Sequence, residues 1–301
     1  MKIHKISLSS LFLIIFFTTF SISCSAQNVS TDKIEKKDKN KKKYKLPEID
    51  LSHWSVTTPE INPKNGKVLN VEPPEILNYA KDDLLKKNMY NDSISGALVF
   101  YAYPTEGTTA NTKFSRSELR EQMVPGDNDK NWTFKQGGIM KGELAMGNVT
   151  KDSKGKYHKV IIMQIHGRLT NKQRDLIGQK DNNAPPVLKI SWQDGKIRVK
   201  TKELKNLNAT YEEMLETDAW TDDEGYTFKE DVGFGRFTLE VKVSDGKLTV
   251  SLNNNEFKVY DNIHMKKWGV FENYFKAGNY FQSTDKGSSA KVNYYKLSVS
   301  H

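Results

Sequence analysis

The sequence contains very little cysteine, because Cys24 is the only one among 301 residues. A disulfide within the chain is therefore excluded, and the folded part must be stabilised by its core alone. The sequence also lacks the H-E-x-x-H and cysteine-cluster patterns of zinc sites, the G-x-S-x-G turn of serine hydrolases, and a glycine-rich phosphate loop between a strand and a helix. These absences argue against zinc chemistry, serine-hydrolase chemistry and phosphate binding by such a loop.

Net positive charge is scarce outside the N-terminus, although the formal net charge of the whole chain is +9. Residues 1–45 carry ten lysines and three acidic residues, which leaves a net charge of only +2 on residues 46–301. A general polyanion-binding surface on the folded part is weakly supported by this distribution, and we expect no nucleic-acid partner.

The only long apolar run lies near the N-terminus, where residues 11–20 read LFLIIFFTTF. This run is too short for a typical membrane-spanning helix, and the small residues SISCSAQ (21–27) follow it. The pattern predicts an export signal over residues 1–24 and resembles a bacterial lipobox, in which Cys24 becomes lipidated after cleavage. We expect an exported, membrane-anchored lipoprotein, periplasmic or at the cell surface, with plain secretion as the alternative. The lysine-rich residues 25–45 are expected to form a flexible linker.

Long helical periodicity is nearly absent from residues 46–301, where PPEILNYAKDDLLKKN (73–88) is the one helix candidate. Short alternating segments predict strands instead, and Asp-Gly pairs at 194–195 and 245–246 predict two hairpins. So many strands without βαβ alternation predict a single all-β domain over residues 46–301, built as an antiparallel sandwich or barrel. The predicted strands cover residues 95–104, 114–123, 137–147, 159–167, 187–200, 235–254, 272–283 and 290–300.

Three predicted strands carry polar side chains at every second position, which places those side chains on one face of each strand. The polar rows are Arg116, Glu118, Arg120 and Gln122 in the first strand, Gln164 and His166 in the second, and Tyr274, Lys276, Tyr280 and Gln282 in the third. A sheet built from such strands would offer cations, amides, an imidazole and phenols on one surface. This combination favours a site for an acidic sugar.

A glycoside hydrolase needs two carboxylates across the scissile bond, and Glu118 and Glu143 are the available candidates. Glu118, however, lies between two arginines in the sequence. These cations would keep the carboxylate ionised and orient it as a structural partner, so hydrolysis is the less favoured chemistry.

The three polar segments together resemble the alginate lyases of polysaccharide lyase family 7. That family shows R-[ST]-E-[LV]-R, Q-[IV]-H and Y-F-K-A-G-x-Y-x-Q blocks, which stand here in the same order as RSELR (116–120), QIH (164–166) and YFKAGNYFQ (274–282). The resemblance covers residues 46–301 and implies a β-jelly roll of two curved antiparallel sheets with a concave substrate groove. Asn279, in a variable slot, and Phe281, where asparagine is common, depart from the pattern at positions that concern subsite preference more than catalysis.

The resemblance implies β-elimination on alginate, a polymer of uronates. The abstracted proton, H5, is α to the C6 carboxylate, so the enzyme must first neutralise that carboxylate. The family pattern assigns this to Arg116 or Arg120 together with Gln164. His166 is the implied general base and Tyr280 the implied acid toward O4. On mannuronate, where H5 and O4 lie on the same side, Tyr280 could serve as both.

The remaining polar residues are expected to bind substrate or to orient the catalytic groups. Glu118 is expected to fix its neighbouring arginines, and Lys276 to bind a neighbouring carboxylate. The expected substrate-binding set is Glu118, Gln122, Tyr274, Lys276 and Gln282. We expect a monomer that needs no metal or cofactor, whose partner is alginate and whose contact with a membrane is through the lipid anchor alone.

These features together predict an endo-acting alginate lyase that releases 4,5-unsaturated oligosaccharides. Isoleucine in the Q-[IV]-H block accompanies activity on guluronate-containing stretches in the family, so Ile165 predicts a preference for those blocks. One alternative is a lyase of another polyuronate, such as a glucuronan. The other is a non-catalytic carbohydrate-binding jelly roll, against which the pairing of His166 and Tyr280 argues, because binding alone needs no acid and base.

Replacement of the predicted lipidation site should release the protein from membranes. We expect Cys24→Ala to move the exported protein from the membrane fraction to the soluble fraction, because no other lipid anchor is predicted. The measurement is an immunoblot of the two fractions, with Ser25→Ala as a control that keeps the thiol. Unchanged membrane fractionation of Cys24→Ala would contradict the lipobox interpretation.

Overall fold

A computed structural model describes residues 46–106 and 113–301 of the chain. The predicted export signal, Cys24 and the predicted linker lie outside the described residues. Within the described ranges, no helix is both long enough and apolar enough to cross a membrane.

Strands make up most of the regular structure, as the alternating sequence pattern predicts. In chain order the strands are β1 (Glu48–Ile49), β2 (Trp54–Ile61), β3 (Val68–Val71), β4 (Met89–Asn91), β5 (Leu98–Ala102), β6 (Arg116–Glu121), β7 (Trp132–Thr133), β8 (Gly138–Val149), β9 (Val160–Arg168), β10 (Asn183–Gln193), β11 (Lys196–Leu204), β12 (Trp220–Asp222), β13 (Tyr226–Asp231), β14 (Arg236–Ser244), β15 (Lys247–Leu252), β16 (Glu256–Tyr260), β17 (Glu272–Phe281) and β18 (Ala290–Ser300). The α-helices are α1 (Asn171–Leu176), α2 (Tyr211–Leu215) and α3 (Ile263–Lys267), and the 3-10 turns are Glu75–Asn78, Leu85–Lys87, Thr217–Ala219 and Trp268–Val270.

The strands form two sheets. The eight-stranded sheet has the order β16-β15-β14-β8-β18-β5-β4, with β1 beside β18. The ten-stranded sheet has the order β12-β11-β10-β9-β17-β6-β2-β3, with β13 beside β11 and β7 beside β17. Neighbouring strands are antiparallel throughout both sheets, except for the parallel pair β1 and β18. The predicted all-β fold of two antiparallel sheets is therefore confirmed, and the described strands form no closed barrel.

The main core contains the apolar residues that alternate with the polar rows. On β17, Phe275 and Phe281 are fully buried, while Tyr274 and Tyr280 on the alternate positions are only partly covered. The two sheets are also joined by polar contacts, because the Tyr294 hydroxyl of β18 donates to the Ile162 carbonyl of β9 at 2.6 Å.

The two departures from the family pattern lie on the core side of β17. Asn279 and Phe281 are both 0% exposed, and the Asn279 amide donates to the carbonyls of Phe100 and Ala290 in the other sheet. Any effect of these two positions on subsite preference would therefore act through packing, and that expectation stays a prediction. Alternation along β17 turns both side chains away from the surface that carries the polar rows.

The two Asp-Gly hairpins are confirmed. Asp194 and Gly195, with φ of 50° and 84°, connect β10 to β11, as a two-residue turn with positive φ at both positions requires. At Gly195 a Cβ atom would lie 2.5 Å from the Asp231 carboxylate, so a larger residue would also have to displace that side chain. Gly246, with φ of 68°, occupies the equivalent connection between β14 and β15.

The helix predicted over residues 73–88 is wrong. The segment instead forms the 3-10 turns Glu75–Asn78 and Leu85–Lys87, each of which buries a single apolar side chain. The side chain of Asp82 accepts from the backbone N–H groups of Leu84 and Leu85 at 2.8 Å. These local bonds satisfy two backbone N–H groups without a continuous helix. Aspartate side chains interrupt helical patterns because they can accept such bonds.

A second acidic residue of β6, Glu121, points into the interior. Its carboxylate accepts from the Trp132 indole at 3.0 Å, the Phe275 backbone N–H at 2.9 Å and the His301 Nε2 at 2.7 Å. The other ring nitrogen of His301 lies 3.0 Å from the Gly137 carbonyl. Both partners of the ring are acceptors, so both nitrogens must carry protons. Although burial opposes the charge, the bond to Glu121 raises the pKa of His301.

The contact between His301 and Glu121 should make stability depend on pH. A raised pKa in the folded state gives stabilisation that is complete below the unfolded pKa of about 6.5 and is lost as pH rises through the folded pKa. We expect His301→Gln, which cannot be protonated, to lower the free energy of unfolding by about 1–2 kcal/mol near pH 5. The difference should shrink by about pH 9. Denaturant unfolding of both proteins across this range measures it, and a difference that does not change with pH would contradict the charged pair.

Candidate active site

Two cavities lie on the outer face of the ten-stranded sheet and share Arg116, His166 and Asn183. The first cavity, of about 480 Å³, extends over β6 and β2 toward β3. The second cavity, of about 350 Å³, extends over the end of β17 toward β10 and β11. We call the two cavities together the groove. It lies on the face that the polar rows were predicted to form.

A buried carboxylate organises the centre of the groove. Glu118 is 1% exposed and contacts the Arg116 guanidinium at 3.1 Å, the Lys276 ammonium at 2.5 Å and the Gln164 amide at 2.6 Å. Although burial opposes ionisation, the two cations hold the pKa of Glu118 below its ordinary value. The four side chains come from β6, β9 and β17, so one ionised group connects three adjacent strands.

A glycine allows the close approach of β6 and β17 at this carboxylate. Gly278 pairs with Glu118 and has a φ of 135°, a conformation that side chains rarely adopt. A Cβ atom at this position would lie 2.7 Å from the Ser117 carbonyl and 2.9 Å from the Glu118 Cα. The glycine of the K-A-G sequence is thus required by space and by backbone conformation.

The two arginines of β6 have different partners. Arg116 contacts Glu118, whereas Arg120 donates to the carbonyls of Glu121 and Asn128 at 2.8 and 3.0 Å and stacks on the Tyr274 ring at 4.2 Å. The expectation that Glu118 fixes both arginines is therefore wrong for Arg120. The end of β6 and the loop after it supply these acceptors, and sequence spacing does not show where that loop runs.

His166 lies beside this cluster as a neutral imidazole. Its Nδ1 lies 3.0 Å from the Gly167 carbonyl, an acceptor, so Nδ1 carries the proton and Nε2 the free electron pair. The ring stacks on Tyr274, with centroids 5.3 Å apart and planes 14° apart. Burial and the neighbouring cations Lys276 and Arg116 lower the pKa of His166 to about 3. At neutral pH the free protein therefore holds an unprotonated nitrogen in the groove.

Tyr280 lies next to Arg116 in the second cavity. The two residues are paired across β6 and β17, and the Arg116 guanidinium lies 4.0 Å from the centre of the Tyr280 ring. Within the part of the chain that the structure describes, the Tyr280 hydroxyl has no hydrogen-bond partner. A phenol, an unprotonated imidazole and a guanidinium thus line one cavity.

The other predicted residues divide between the groove and its support. Tyr274 and Lys276 line the first cavity, while Gln164 and Gln282 line the second. The ammonium of Lys276 already contacts Glu118, and although that contact opposes it, burial lowers the pKa of Lys276 to about 8.

The structure does not bring Gln122 to the groove. This residue is 0% exposed, donates to the Asn128 side chain at 3.2 Å and accepts from the Gly126 backbone at 2.9 Å. β6 ends at Glu121, so the strand alternation no longer applies to the next residue. Gln122 therefore stabilises the loop that brings Asn128 to the first cavity. Glu143, the other carboxylate weighed for hydrolysis, lies on the eight-stranded sheet and contacts Arg236 at 3.3 Å.

Several residues of the groove were not predicted from the sequence. Arg168 lines the first cavity and continues the two-residue spacing of Gln164 and His166, so alternation could have identified it. Asn182 lies in the connection after α1 and Asn183 begins β10, and no local pattern indicated either residue. The second cavity is also lined by three lysines, which are Lys159 directly before β9, Lys189 on β10 and Lys202 on β11.

No ligands for a metal ion are grouped in the described parts of the chain. Among residues 46–106 and 113–301, no group of at least three His, Cys, Asp or Glu side chains is arranged to hold one.

Comparisons with known proteins agree with this geometry. The alginate lyase family model matches residues 49–301. The chain is similar to alginate lyase A1-II′ in complex with substrate (GGMG), with 29% identity, a TM-score of 0.66, and coverage of 84% of this chain and 94% of that one. Another structure of A1-II′, reported as a member of polysaccharide lyase family 7, has 30% identity, a TM-score of 0.65, and coverage of 84% and 96%.

A more distant alginate lyase, PA1167 from Pseudomonas aeruginosa, shares the fold at 22% identity with a TM-score of 0.61, over 84% of this chain and all of that one. No curated protein sequence gives a significant match. The family model covers most of the chain, and the similarity to A1-II′ covers nearly all of that enzyme. The chain therefore belongs to the alginate lyases of polysaccharide lyase family 7 and is a polysaccharide lyase.

Proposed function

We propose that this protein cleaves alginate by β-elimination and releases oligosaccharides with a C4–C5 double bond. The observation that carries the proposal is the second cavity, where the unprotonated His166, the Tyr280 phenol and the Arg116 guanidinium come together. These are the three functions that elimination from a uronate requires: a base, an acid and a cation for the carboxylate.

Arg116 is the better candidate for the carboxylate at the scissile residue. It lines both cavities and shares the second with His166 and Tyr280, whereas Arg120 lines only the first. An anionic carboxylate would resist further negative charge when H5 leaves, so a cation whose interaction strengthens in the transition state lowers the barrier. Gln164 would add its second amide proton, since the first is donated to Glu118. Arg120 would then bind a neighbouring uronate.

His166 is proposed as the general base and Tyr280 as the general acid on guluronate. The Nε2 electron pair takes H5, the C–H electrons form the C4–C5 double bond, the C4–O4 bond breaks, and the Tyr280 proton goes to O4. The low pKa of the free imidazole makes it a weak base, but a bound carboxylate nearby raises the pKa as substrate enters. On mannuronate, Tyr280 would both remove H5 and protonate O4.

Endo action is supported by the two cavities, because sugar residues could bind on both sides of the shared residues Arg116 and His166. We also propose that the protein acts as a monomer, exported and held to a membrane through lipidated Cys24. Its preferred substrate is proposed to be guluronate-containing alginate. A relative bound to GGMG and to the product GGG supports this preference.

The proposed chemistry is tested by absorbance near 235 nm, where the new conjugated double bond absorbs. Wild-type protein should produce this signal from alginate. We expect Tyr280→Phe and His166→Ala each to lower turnover of guluronate-containing substrate by about 10²–10⁴-fold, because each removes a proton-transfer group. Neither change should alter the melting temperature greatly, since both side chains lie in the groove.

Tyr295→Phe removes the same hydroxyl from a tyrosine of the eight-stranded sheet and should leave turnover unchanged. Near-normal turnover of Tyr280→Phe would refute its assignment as the acid. Absorbance from glucuronan but not from alginate would support the other polyuronate, and binding of alginate without absorbance would support a lectin.

The preference for guluronate is tested on block-purified substrates at equal uronate concentration. Ile165 is fully buried on the core side of β9, so it can act only by packing beneath Gln164 and His166. A small shift of the base changes rates when the base must meet H5 on one side of the ring. We expect faster initial cleavage of polyguluronate or mixed blocks than of polymannuronate, and a smaller ratio for Ile165→Val. A clear preference for polymannuronate by the wild-type protein would contradict the proposal.

A further inference from the structure

The wall of the second cavity away from Arg116 carries a group of lysines. Lys159 directly before β9, Lys189 on β10 and Lys202 on β11 all line this cavity together with Tyr280. Another lysine, Lys200, is paired with Lys189 across β10 and β11. Strands β9, β10 and β11 are neighbours in the sheet, so these cations lie close to one another.

A single carboxylate contacts this group among the described residues. Asp222 lies 2.7 Å from the Lys189 ammonium and 2.8 Å from the Lys202 ammonium. Although burial opposes ionisation, these two cations lower the pKa of Asp222 to about 2. Asp222 therefore carries a full negative charge at neutral pH, and this charge balances only one of its two partners.

Lys159 forms no salt bridge within the described residues, although the charge of Asp222 is near enough to raise its pKa slightly against the causes that lower it. Its backbone carbonyl accepts from Gln282, which fixes the end of β9 beside the end of β17, but its ammonium makes no ion pair. Burial and the nearby cations Lys189 and Lys200 lower the pKa of Lys159. Three lysines and one carboxylate thus leave the cavity wall with a net positive charge that destabilises the free protein. Such an arrangement favours an anionic ligand.

We propose that Lys159, supported by Lys189, binds the carboxylate of the uronate next to the scissile bond on the Tyr280 side of the groove. This inference rests on the proposed function, because it assumes that a polyuronate occupies the second cavity. Arg120 and Arg168 supply cations to the first cavity, so each side of His166 would have its own carboxylate-binding group. A polymer with one carboxylate per residue could then contact a cation on each side of His166.

The test measures binding of an alginate oligosaccharide long enough to span both cavities, by calorimetry on the slow variant Tyr280→Phe. Adding Lys159→Gln should raise the Kd about three- to tenfold, because one charge pair is lost, and should reduce the dependence of Kd on salt. Lys159→Arg in the same background should restore most of the affinity, because it keeps the charge. Lys242→Gln, an exposed lysine of the eight-stranded sheet, removes the same net charge and should leave the Kd unchanged.

Measuring both turnover and binding distinguishes a failure of the Lys159 subsite from a failure of the proposed elimination. An unchanged Kd for Lys159→Gln, or an equal increase for Lys242→Gln, would overturn the role of Lys159 even if the wild-type protein cleaves alginate. An increased Kd specific to Lys159→Gln would support the carboxylate subsite even if the wild-type protein gives no absorbance near 235 nm, in which case only the proposed elimination fails.

Discussion

The ionised carboxylate of Glu118 is the interaction on which the groove depends. Burying an unpaired charge costs several kcal/mol, so Glu118 can remain inside the sheet only while its cationic and amide partners are in place. Arg116, Lys276 and Gln164 come from three different strands, and the requirement to satisfy one carboxylate brings them together. Two cations around one anion also leave a positive charge, which suits a substrate carboxylate.

The protonation state of His166 follows from the same cluster. Burial is the largest cause that disfavours the imidazolium, and the excess positive charge of Lys276 and Arg116 disfavours it further, so the ring stays neutral. The bond from Nδ1 to the Gly167 carbonyl then determines which nitrogen can accept a proton. Glu121 supports these strands from the core side, because it accepts from the Phe275 backbone directly before Lys276. Two carboxylates of one strand, on opposite faces, therefore hold the same region of β17.

The small net charge of residues 46–301 is compatible with an anionic substrate because the cations are unevenly placed. Arginines lie at the first cavity and lysines at the second, while Asp222 balances only part of the lysine charge. A net charge counts residues wherever they lie on the surface. Binding of a polyuronate depends on the field within the groove, where low-dielectric walls strengthen it.

The sequence by itself determined the antiparallel strands, the Asp-Gly hairpins and the faces of β6, β9 and β17, because alternation is a property of the extended backbone. The division into two sheets followed from the resemblance to the family, since alternation alone also allowed a barrel. The sequence did not determine where strands end, so Gln122 was wrongly placed in the groove. It also did not show that the Asp82 side chain accepts a backbone hydrogen bond that interrupts the helical pattern of residues 73–88. Only the tertiary structure decided that Glu118 pairs with Lys276 and not Arg120, and that Lys159 shares the second cavity with Tyr280. Those contacts join strands far apart in the chain, and their register and loops depend on the packing of the whole sandwich.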